Sequence, residues 1–321
     1  MTFIRSVLGD VPPSALGVTN SHEHVLIASG LILKLEPDFR LDSIEKGIEE
    51  LCDFHSKGGR ALVEASPIGA GRDPDGLRSI SAATGVTIIS ATGFHKTKYY
   101  LDSHWRFRYS ADEIARLFIE EIEIGIEKSG YEGPFIRRSE ARAGIIKVAS
   151  DYQVMDLATR TAFQAAAIAH AQTGAPVLTH TEMGTMAIAQ LETLAALGID
   201  SKHVVLSHMD RNPDLHLHKE VAQTGAFLEY DGPGRVKYFP ESTLIGLIRG
   251  MVEAGLGGQI LLGGDTARRS YWKAYGGGPG VAYILEHFTD RMRCDGFSQQ
   301  QIDDILIHNP ARAFVFAKVG T

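Results

Sequence analysis

Eight short apolar runs alternate with amphipathic segments along the whole chain, and this alternation limits the possible folds more than any other feature. Runs such as Val204-Val205-Leu206 and Ile260-Leu261-Leu262 are apolar at every position, as in β-strands that are buried on both faces. The predicted strands are residues 18–24, 61–65, 86–92, 143–148, 176–181, 203–208, 226–231 and 259–265.

Eight strands that alternate with helices match the count of a (β/α)8 barrel, and 321 residues with 44% hydrophobic side chains can fill its core. Since neither a shift in composition nor an internal repeat divides the chain, we predict an α/β fold with a single TIM-barrel domain over residues 1–321. A glycine-rich loop is predicted at 276–280 and a closing helix at 311–319. Capping patterns predict three helix starts, at Asp42-x-x-Glu45 (helix 42–57), Ser110-x-x-Glu113 and Ser298-x-x-Gln301.

Charge and hydropathy argue against several classes of partner. A net charge of −7 and a pI near 6.0 do not suit a nucleic-acid-binding surface, which needs a basic patch. No run approaches the ~20 apolar residues of a membrane span, and the N-terminal apolar run is too short for a signal peptide. Cys52 and Cys294 lie in predicted helices without a Cys-x-x-Cys spacing, so neither a disulfide nor a thiolate zinc site is expected. We therefore predict a soluble cytoplasmic protein.

Side chains that can bind a metal stand at the carboxyl ends of five predicted strands. Strand one ends with His22 and His24, which point to the same face because they are two positions apart. In a (β/α)8 barrel, catalytic side chains collect at this rim. The candidate set is His22, His24, Lys147, His180, His208 and Asp265.

Taken singly, each candidate has an ordinary structural explanation. A lone His180 or His208 is more often a hydrogen-bonded core histidine, and Asp265 after two glycines is more often a helix cap. A whole set on one rim is hard to explain in that way, so the pattern favours a metal site. Other histidines have a helical context or stand at the wrong end of a strand. We expect His216 and His218 to face solvent, and we exclude His55, His170, His203, His287 and His308 as ligands.

Lys147 is unusual because its ammonium falls within an apolar strand, beside the predicted metal ions. One explanation is that its stem packs in the core while the amine reaches solvent. The other is a neutral amine that reacts with CO2, giving a carbamate whose two oxygens bridge two metals. Burial and cationic neighbours favour the loss of the proton that this second explanation requires.

The ordered motifs resemble the phosphotriesterase-like family of the amidohydrolase superfamily over nearly the whole chain. They are His22-x-His24, Lys147 in Ala-Gly-Ile-Ile-Lys-Val, His180 in Leu-Thr-His-Thr, His208 in Ser-His-Met-Asp and Asp265 in Gly-Gly-Asp-Thr-Ala-Arg. The resemblance implies an α metal on His22, His24 and Asp265, and a β metal on His180 and His208. Carboxylated Lys147 and an attacking hydroxide would bridge the two metals, and Asp265 would accept the proton of the hydroxide. Zinc suits this set, although manganese, cobalt or iron could replace it. The resemblance also implies a homodimer.

Two loops after strands seven and eight are basic, although the protein is acidic overall. They hold Arg235 and Lys237, and Arg268 and Tyr271; such charges either bind an anion or are simply solvated. Lys237, Arg268 and Tyr271 look like the phosphate-binding residues of the branch that hydrolyses phosphorylated sugar lactones, such as pentono-1,4-lactone 5-phosphates. With Arg235 and with Tyr99 of the strand-three loop, they are the predicted contacts to an anionic small-molecule substrate.

Two other functions stay open on the sequence alone. The same metal site could serve an acyl-homoserine lactonase or an organophosphate triesterase. A barrel of this kind could also bind a ligand without useful turnover, since a fold does not guarantee an activity.

Overall fold

In the computed structural model, which describes residues 2–318, eight parallel strands form one barrel and helices surround it. The strands β1 to β10 are Ile4–Ser6, Gly9–Val11, Thr19–Glu23, Ala61–Glu64, Thr87–Gly93, Ile145–Ala149, Val177–His180, Val204–Ser207, Phe227–Tyr230 and Ile260–Leu262, and the barrel uses β3 to β10. Backbone amides of Gly264 and Asp265 donate to the carbonyl of His22 and so join the last strand to the first. The eight predicted strands and the α/β barrel are confirmed.

The helices lie outside the barrel and mostly follow its strands in the expected alternation. Helices α1 to α11 are Ile32–Leu35, Ile44–Ser56, Pro74–Thr84, Ala111–Glu123, Leu157–Thr173, Ala187–Ala196, Leu215–Gln223, Glu241–Glu253, Thr289–Cys294, Gln299–Asp303 and Asn309–Ala313. The capping boxes predicted at Ser110 and Ser298 are both present. The cap predicted at Asp42 is wrong by one residue. Ser43 is the cap, because its extended backbone lets its hydroxyl accept from the amide of Lys46.

Two apolar layers hold the barrel together. Inside the barrel, small and branched side chains such as Ala61, Val63, Ala91 and Leu178 are fully buried. A larger layer packs between the outer face of the strands and the helices, and it includes Phe118 on α4. Because both faces of each strand are covered, strands such as β8 and β10 are largely apolar, as the sequence pattern indicated, whereas β3 is buried with polar side chains.

Both ends of the chain pack together at the amino-terminal end of the barrel. The sequence pattern did not reveal the antiparallel hairpin of β1 and β2, whose residue Ile4 is buried with the barrel interior. The predicted helix 311–319 is wrong beyond Ala313, and Val319 lies outside the described residues. The chain leaves the helix because the Phe316 amide donates to the carbonyl of Phe3, and their rings stack at 4.6 Å.

Two properties of the described chain bear on where it can act. Within residues 2–318, no helix is both long and apolar enough to pass through a membrane. Cys52 and Cys294 are both exposed and unpaired, and each lies in a helix as predicted.

Candidate metal centre and substrate cavity

One cavity of about 150 Å³ opens at the carboxyl ends of the barrel strands. Loops after these strands form its walls, as is usual for the catalytic face of a (β/α)8 barrel. It is lined by all the residues proposed from sequence as ligands or substrate contacts: His22, His24, Tyr99, Lys147, His180, His208, Arg235, Lys237, Asp265, Arg268 and Tyr271. The structure therefore brings the whole predicted set to one place.

The candidate ligands lie close enough to share metal ions. The ligand atoms of His22, His24 and Asp265 all lie within 4.8 Å of one another, which is a spacing that one ion can bridge. Nε2 of His24 lies 3.5 Å from Oδ1 of Asp265. On the other side of the rim, the rings of His180 and His208 are 4.4 Å apart. These distances are compatible with one group of three ligands and a second group of two.

Each of the four histidines uses one ring nitrogen for a protein partner, and its other nitrogen can bind metal. Such outer partners fix the orientation of a ligand histidine and its tautomer. The pairs are His22 Nδ1 with Glu229 at 2.9 Å, His24 Nδ1 with Ser66 at 2.8 Å, His180 Nε2 with Glu182 at 2.7 Å, and His208 Nδ1 with Asp231. A second cluster of potential ligands, formed by His22, His208, Glu229 and Asp231, contains two of these hydrogen-bonded pairs. We therefore assign Glu229 and Asp231 to the support of the histidines.

The protonation of the histidines also suits metal binding. Burial, together with the charge of Lys147, holds the pKa of His22 well below its usual range. Burial and the neighbouring His208 do the same for the pKa of His180, so both rings are neutral. Burial also disfavours the charged form of His24, but hydrogen bonds to Asp265 and Glu64 raise its pKa to about 9. A metal ion bound here must displace that proton.

The surroundings of the Lys147 amine indicate whether this site suits a bridged metal pair. Its Nζ is buried and has no hydrogen-bond partner among residues 2–318. Burial lowers the pKa of Lys147 to about 8, although the carboxylates of Glu229 and Asp265 act in the opposite direction. An unpaired buried amine is costly, and a carbamate with metal partners would satisfy it. The residues present therefore fit the metal pair.

The backbone at two of the candidate ligands is strained. His208 and Asp265 have φ angles of 66° and 45°, in the left-handed region that residues other than glycine rarely adopt. Such strain costs on the order of 1–3 kcal/mol per residue and concentrates at functional sites. Here it places both side chains at the rim directly after their strands.

Asp265 is held by two arginines. Oδ2 of this carboxylate accepts from Arg211 at 2.7 Å and from Arg235 at 2.5 Å, and both arginines also pair with Asp231. Burial alone would raise the pKa of Asp265, but Arg235, His24 and Arg211 hold it well below its usual range. Arg235 lines the cavity from this buried cluster, and its predicted contact with substrate stays a prediction.

The basic loops meet the cavity at a second place. Arg268 is held by Glu36 at 2.9 Å, and its guanidinium lies 4.5 Å from the centre of the Phe39 ring. Nζ of Lys237 lies 6.0 Å from the centre of the Tyr271 ring, so these three predicted phosphate contacts share one wall. Lys237 is solvent-exposed and keeps its charge available to a ligand.

Sequence reasoning assigned no individual role to five charged residues at this cavity: Glu36, Lys96, Lys98, Glu182 and Arg211. Glu182 had a usable signal, because it stands two positions after His180 and side chains two apart at a strand end share a face. Lys96 belongs to the strand-three loop, whose register the sequence did not define. Arg211 had no signal of its own, since its role depends on Asp265, 54 positions away.

The expectation for one excluded histidine is wrong. His216 is exposed as predicted, but His218 is fully buried. Its Nδ1 lies 2.7 Å from the hydroxyl of Tyr230, and its Nε2 lies 3.0 Å from the carbonyl of Met209. The helix that carries His218 packs against β9, so this face of the helix meets the core. His218 is not among the residues that line the cavity.

Comparisons with known proteins point to one family. A family model described as the phosphotriesterase family matches residues 2–314. A phospho-furanose lactonase of Mycoplasmopsis synoviae is 36% identical over 98% of this chain and 92% of its own length. The crystal structure of an amidohydrolase from Mycoplasma synoviae superposes with a TM-score of 0.97 at 35% identity, covering 100% of this chain and 94% of the other. That of a lactonase from Listeria monocytogenes gives a TM-score of 0.91 at 33% identity, covering 98% and 100%.

Proposed function

Since the chain belongs to the phosphotriesterase family, we propose that it is a metal-dependent hydrolase that opens the lactone ring of a phosphorylated sugar. The bond that it cleaves is the ester bond of a lactone of the pentono-1,4-lactone 5-phosphate type. One observation carries the proposal: all the candidate metal ligands and the predicted phosphate contacts line the same cavity. The lactonase names of two similar proteins agree with it.

The metal centre would be built from six side chains. His22, His24 and Asp265 would hold one ion, His180 and His208 the other, and Lys147 would bridge them as a carbamate. Bound ions of this kind supply a hydroxide nucleophile at neutral pH and polarise the carbonyl that it attacks. Zinc suits imidazole and carboxylate ligands, and manganese, cobalt or iron are alternatives.

Asp265 would act as the proton-transfer group. Arg211 and Arg235 bind its Oδ2, while its Oδ1 lies toward His24 at the rim. This arrangement fixes the carboxylate so that it can accept the proton of the nucleophile and pass it to the departing ring oxygen. The arginines keep the carboxylate ionised before the reaction, which is the state that an acceptor needs.

The phosphate of the substrate would bind to Lys237, Arg268 and Tyr271. Lysine and arginine form charge-assisted hydrogen bonds with phosphate oxygens, and a tyrosine hydroxyl adds a neutral donor. Glu36 and Phe39 hold Arg268 in place before substrate arrives, which lowers the entropy cost of binding. Tyr99 stands on another wall of the cavity, where its hydroxyl could contact the sugar.

The alternative substrates fit this cavity less well. Acyl-homoserine lactones and organophosphate triesters carry uncharged groups, which need apolar walls. The walls here carry the ammonium groups of Lys96, Lys98 and Lys237 and the guanidinium of Arg268. A barrel that binds without turnover has no need for the ligand set. A cytoplasmic location and a homodimer remain proposals from the sequence.

A substrate panel tests the proposed function. Metal-loaded protein is given pentono-1,4-lactones with and without a 5-phosphate, an acyl-homoserine lactone and paraoxon, and acid release or product absorbance is followed. We expect turnover of the phosphorylated lactones well above that of all other compounds. Equal turnover of both sugar lactones contradicts the phosphate assignment, and a preference for long acyl chains or paraoxon establishes the alternative.

A further inference from the structure

We propose that Lys96 and Glu182 form a specificity pair that binds the ring hydroxyls of the lactone and selects their configuration. The inference rests on the proposed function and deepens it. It concerns the ring hydroxyls of the lactone, which neither the metal ions nor the phosphate contacts would bind. Both residues line the cavity. Neither is among the candidate metal ligands or the phosphate contacts.

Lys96 is buried and Glu182 is half-buried, and the two form an ion pair in which each keeps hydrogen-bonding groups without a partner. Nζ of Lys96 donates to Oε2 of Glu182, and the same oxygen lies 2.7 Å from Nε2 of His180. No group among residues 2–318 donates to Oε1 of Glu182, and this side chain is 25% exposed although Lys96 is only 3% exposed. The pair therefore presents one free carboxylate oxygen and spare ammonium protons.

The topology places this pair across the cavity from the phosphate wall, which consists of Lys237, Arg268 and Tyr271. Lys96 follows β5, the third barrel strand, and Glu182 follows β7, the fifth; between them stands β6 with Lys147. Arg268 and Tyr271 follow β10, the eighth strand. In a closed ring of eight strands, the fourth and the eighth are opposite each other. A lactone with its phosphate on the β10 side and its carbonyl at the metals directs its ring toward the pair.

The loop that carries Glu182 is held in an unusual conformation. Met183 and Met186 have φ angles of 54° and 65°, which are left-handed values at residues other than glycine. Between them, Gly184 has a φ of 65°, and a Cβ there would lie 2.6 Å from the Cβ of Asn212. The hydroxyl of Thr185 donates to the carbonyl of Glu182 at 2.7 Å. Strain that surrounding contacts maintain is a mark of functional loops, and here it fixes the carboxylate.

This arrangement would select a substrate hydroxyl because burying a charged group that lacks a hydrogen-bond partner costs free energy. A hydroxyl that donates to Glu182 and accepts from Lys96 completes both groups when substrate displaces water from the cavity. An epimer or a deoxy analogue leaves Oε1 of Glu182 and the remaining ammonium protons of Lys96 desolvated without a hydrogen-bond partner. Sites that are built to hydrogen-bond a substrate hydroxyl therefore reject analogues that lack it much more strongly than apolar pockets reject an extra methylene.

Glu182 could instead act only by holding His180. That role would affect every substrate equally, because it operates on the metal centre. Ser66 provides the matched control, since its hydroxyl holds His24 in the same way at 2.8 Å and no lysine among residues 2–318 hydrogen-bonds to it. Lys96→Met is the second variant, because within the described part of the chain the Lys96 ammonium hydrogen-bonds to Glu182 and to no candidate ligand.

The experiment compares wild type, Glu182→Gln, Lys96→Met and Ser66→Ala as metal-loaded proteins. For each, kcat/KM is measured on epimeric pentono-1,4-lactone 5-phosphates and on their 2-deoxy and 3-deoxy analogues, and metal per chain is determined. We expect Glu182→Gln and Lys96→Met to lower the ratio between the best hydroxylated lactone and its deoxy analogue by about 10- to 100-fold, as for loss of a hydrogen bond to a charged group. Ser66→Ala should lower kcat/KM by the same factor for all substrates.

The outcomes separate the inference from the proposed function. If wild type turns over no phosphorylated lactone, the proposed function fails. If wild type is active and both variants keep its preference among epimers and deoxy analogues, the specificity pair is refuted while the lactonase stands. A parallel loss on all substrates with reduced metal in Glu182→Gln, together with an unchanged preference in Lys96→Met, assigns Glu182 to the metal centre alone and also refutes the pair.

Discussion

Nη1 of Arg235 lies 2.5 Å from Oδ2 of Asp265, in a contact that is almost fully buried beside the cavity. Arg211 reaches the same oxygen, and both arginines are also paired with Asp231. Two positive charges thus fix the carboxylate that we propose for proton transfer. The cluster explains why two arginines stand beside a site for metal cations: carboxylates balance them.

Replacing Arg235 with methionine should therefore affect the chemical step more than substrate binding. The variant Arg235→Met keeps an apolar stem but leaves Arg211 as the one arginine that we place on Asp265, so the carboxylate is held less firmly and is more easily protonated. We expect kcat to fall about 10- to 100-fold, as for loss of a hydrogen bond to a charged group, with a small change in KM. Steady-state kinetics on a phosphorylated lactone measure this. An increase in KM at constant kcat would instead show that Arg235 binds the substrate directly.

Lys147→Ala should lose metal as well as activity. The proposed carbamate would hold both ions, so its removal should weaken both sites. Elemental analysis should give two metals per chain for wild type and well below that for the variant, and a short carboxylic acid should restore part of the activity. The control is Lys202→Ala, which removes an exposed lysine that pairs with Asp200. Unchanged metal content in Lys147→Ala would refute the bridging role.

Substitutions in the phosphate wall should change substrate binding and leave the metal centre intact. Lys237→Met and Arg268→Met should each raise KM for the phosphorylated lactone about 10- to 100-fold, because a charge-assisted contact is lost, and metal content should stay at the wild-type value. The matched control is Arg269→Met. Arg269 is adjacent in sequence, but its guanidinium lies over the ring of Tyr275 at 4.5 Å and it does not line the cavity. Equal effects at Arg268 and Arg269 would argue for a general charge effect.

His104 should make stability depend on pH. Burial, together with Arg106, lowers its pKa from 6.5 to about 4, and its Nδ1 accepts from the amide of Arg106 at 3.2 Å. Because the folded-state pKa lies below the unfolded one, the stabilisation is complete above pH 6.5 and is lost as the pH falls toward 4. The effect is modest, since the ring is only half-buried.

The comparison variant is His104→Asn, which keeps a capping acceptor without a group that gains charge. Thermal unfolding is followed at pH 7 and pH 5. Wild type should lose more stability than the variant over this interval. Parallel losses in both proteins would show that His104 does not contribute to the pH dependence.

The barrel and the shared rim of the candidate ligands could be predicted because they depend on local and periodic patterns. A strand that is buried on both faces is apolar throughout, and a polar side chain at its end stands out against that background. Lys147 and His180 were found in this way. Once the barrel is assumed, the positions of the six candidate ligands at the ends of five strands are enough to place them on one rim.

The supporting contacts could not be predicted because they join residues from distant loops. Asp265 meets Arg211 only after the barrel closes, and Lys96 pairs with Glu182 across 86 positions. The end of the last helix was misjudged for a similar reason. The chain leaves this helix because Phe316 meets Phe3, next to the amino-terminal hairpin. No periodicity in the last segment reveals that contact.

The most direct test of the central claim is a crystal structure of metal-loaded protein with the ring-opened 5-phosphate product. We predict two ions bridged by carboxylated Lys147, with the phosphate within hydrogen-bond distance of Lys237, Arg268 and Tyr271. A single ion beside an unmodified Lys147, or a phosphate bound away from these three residues, would contradict the account.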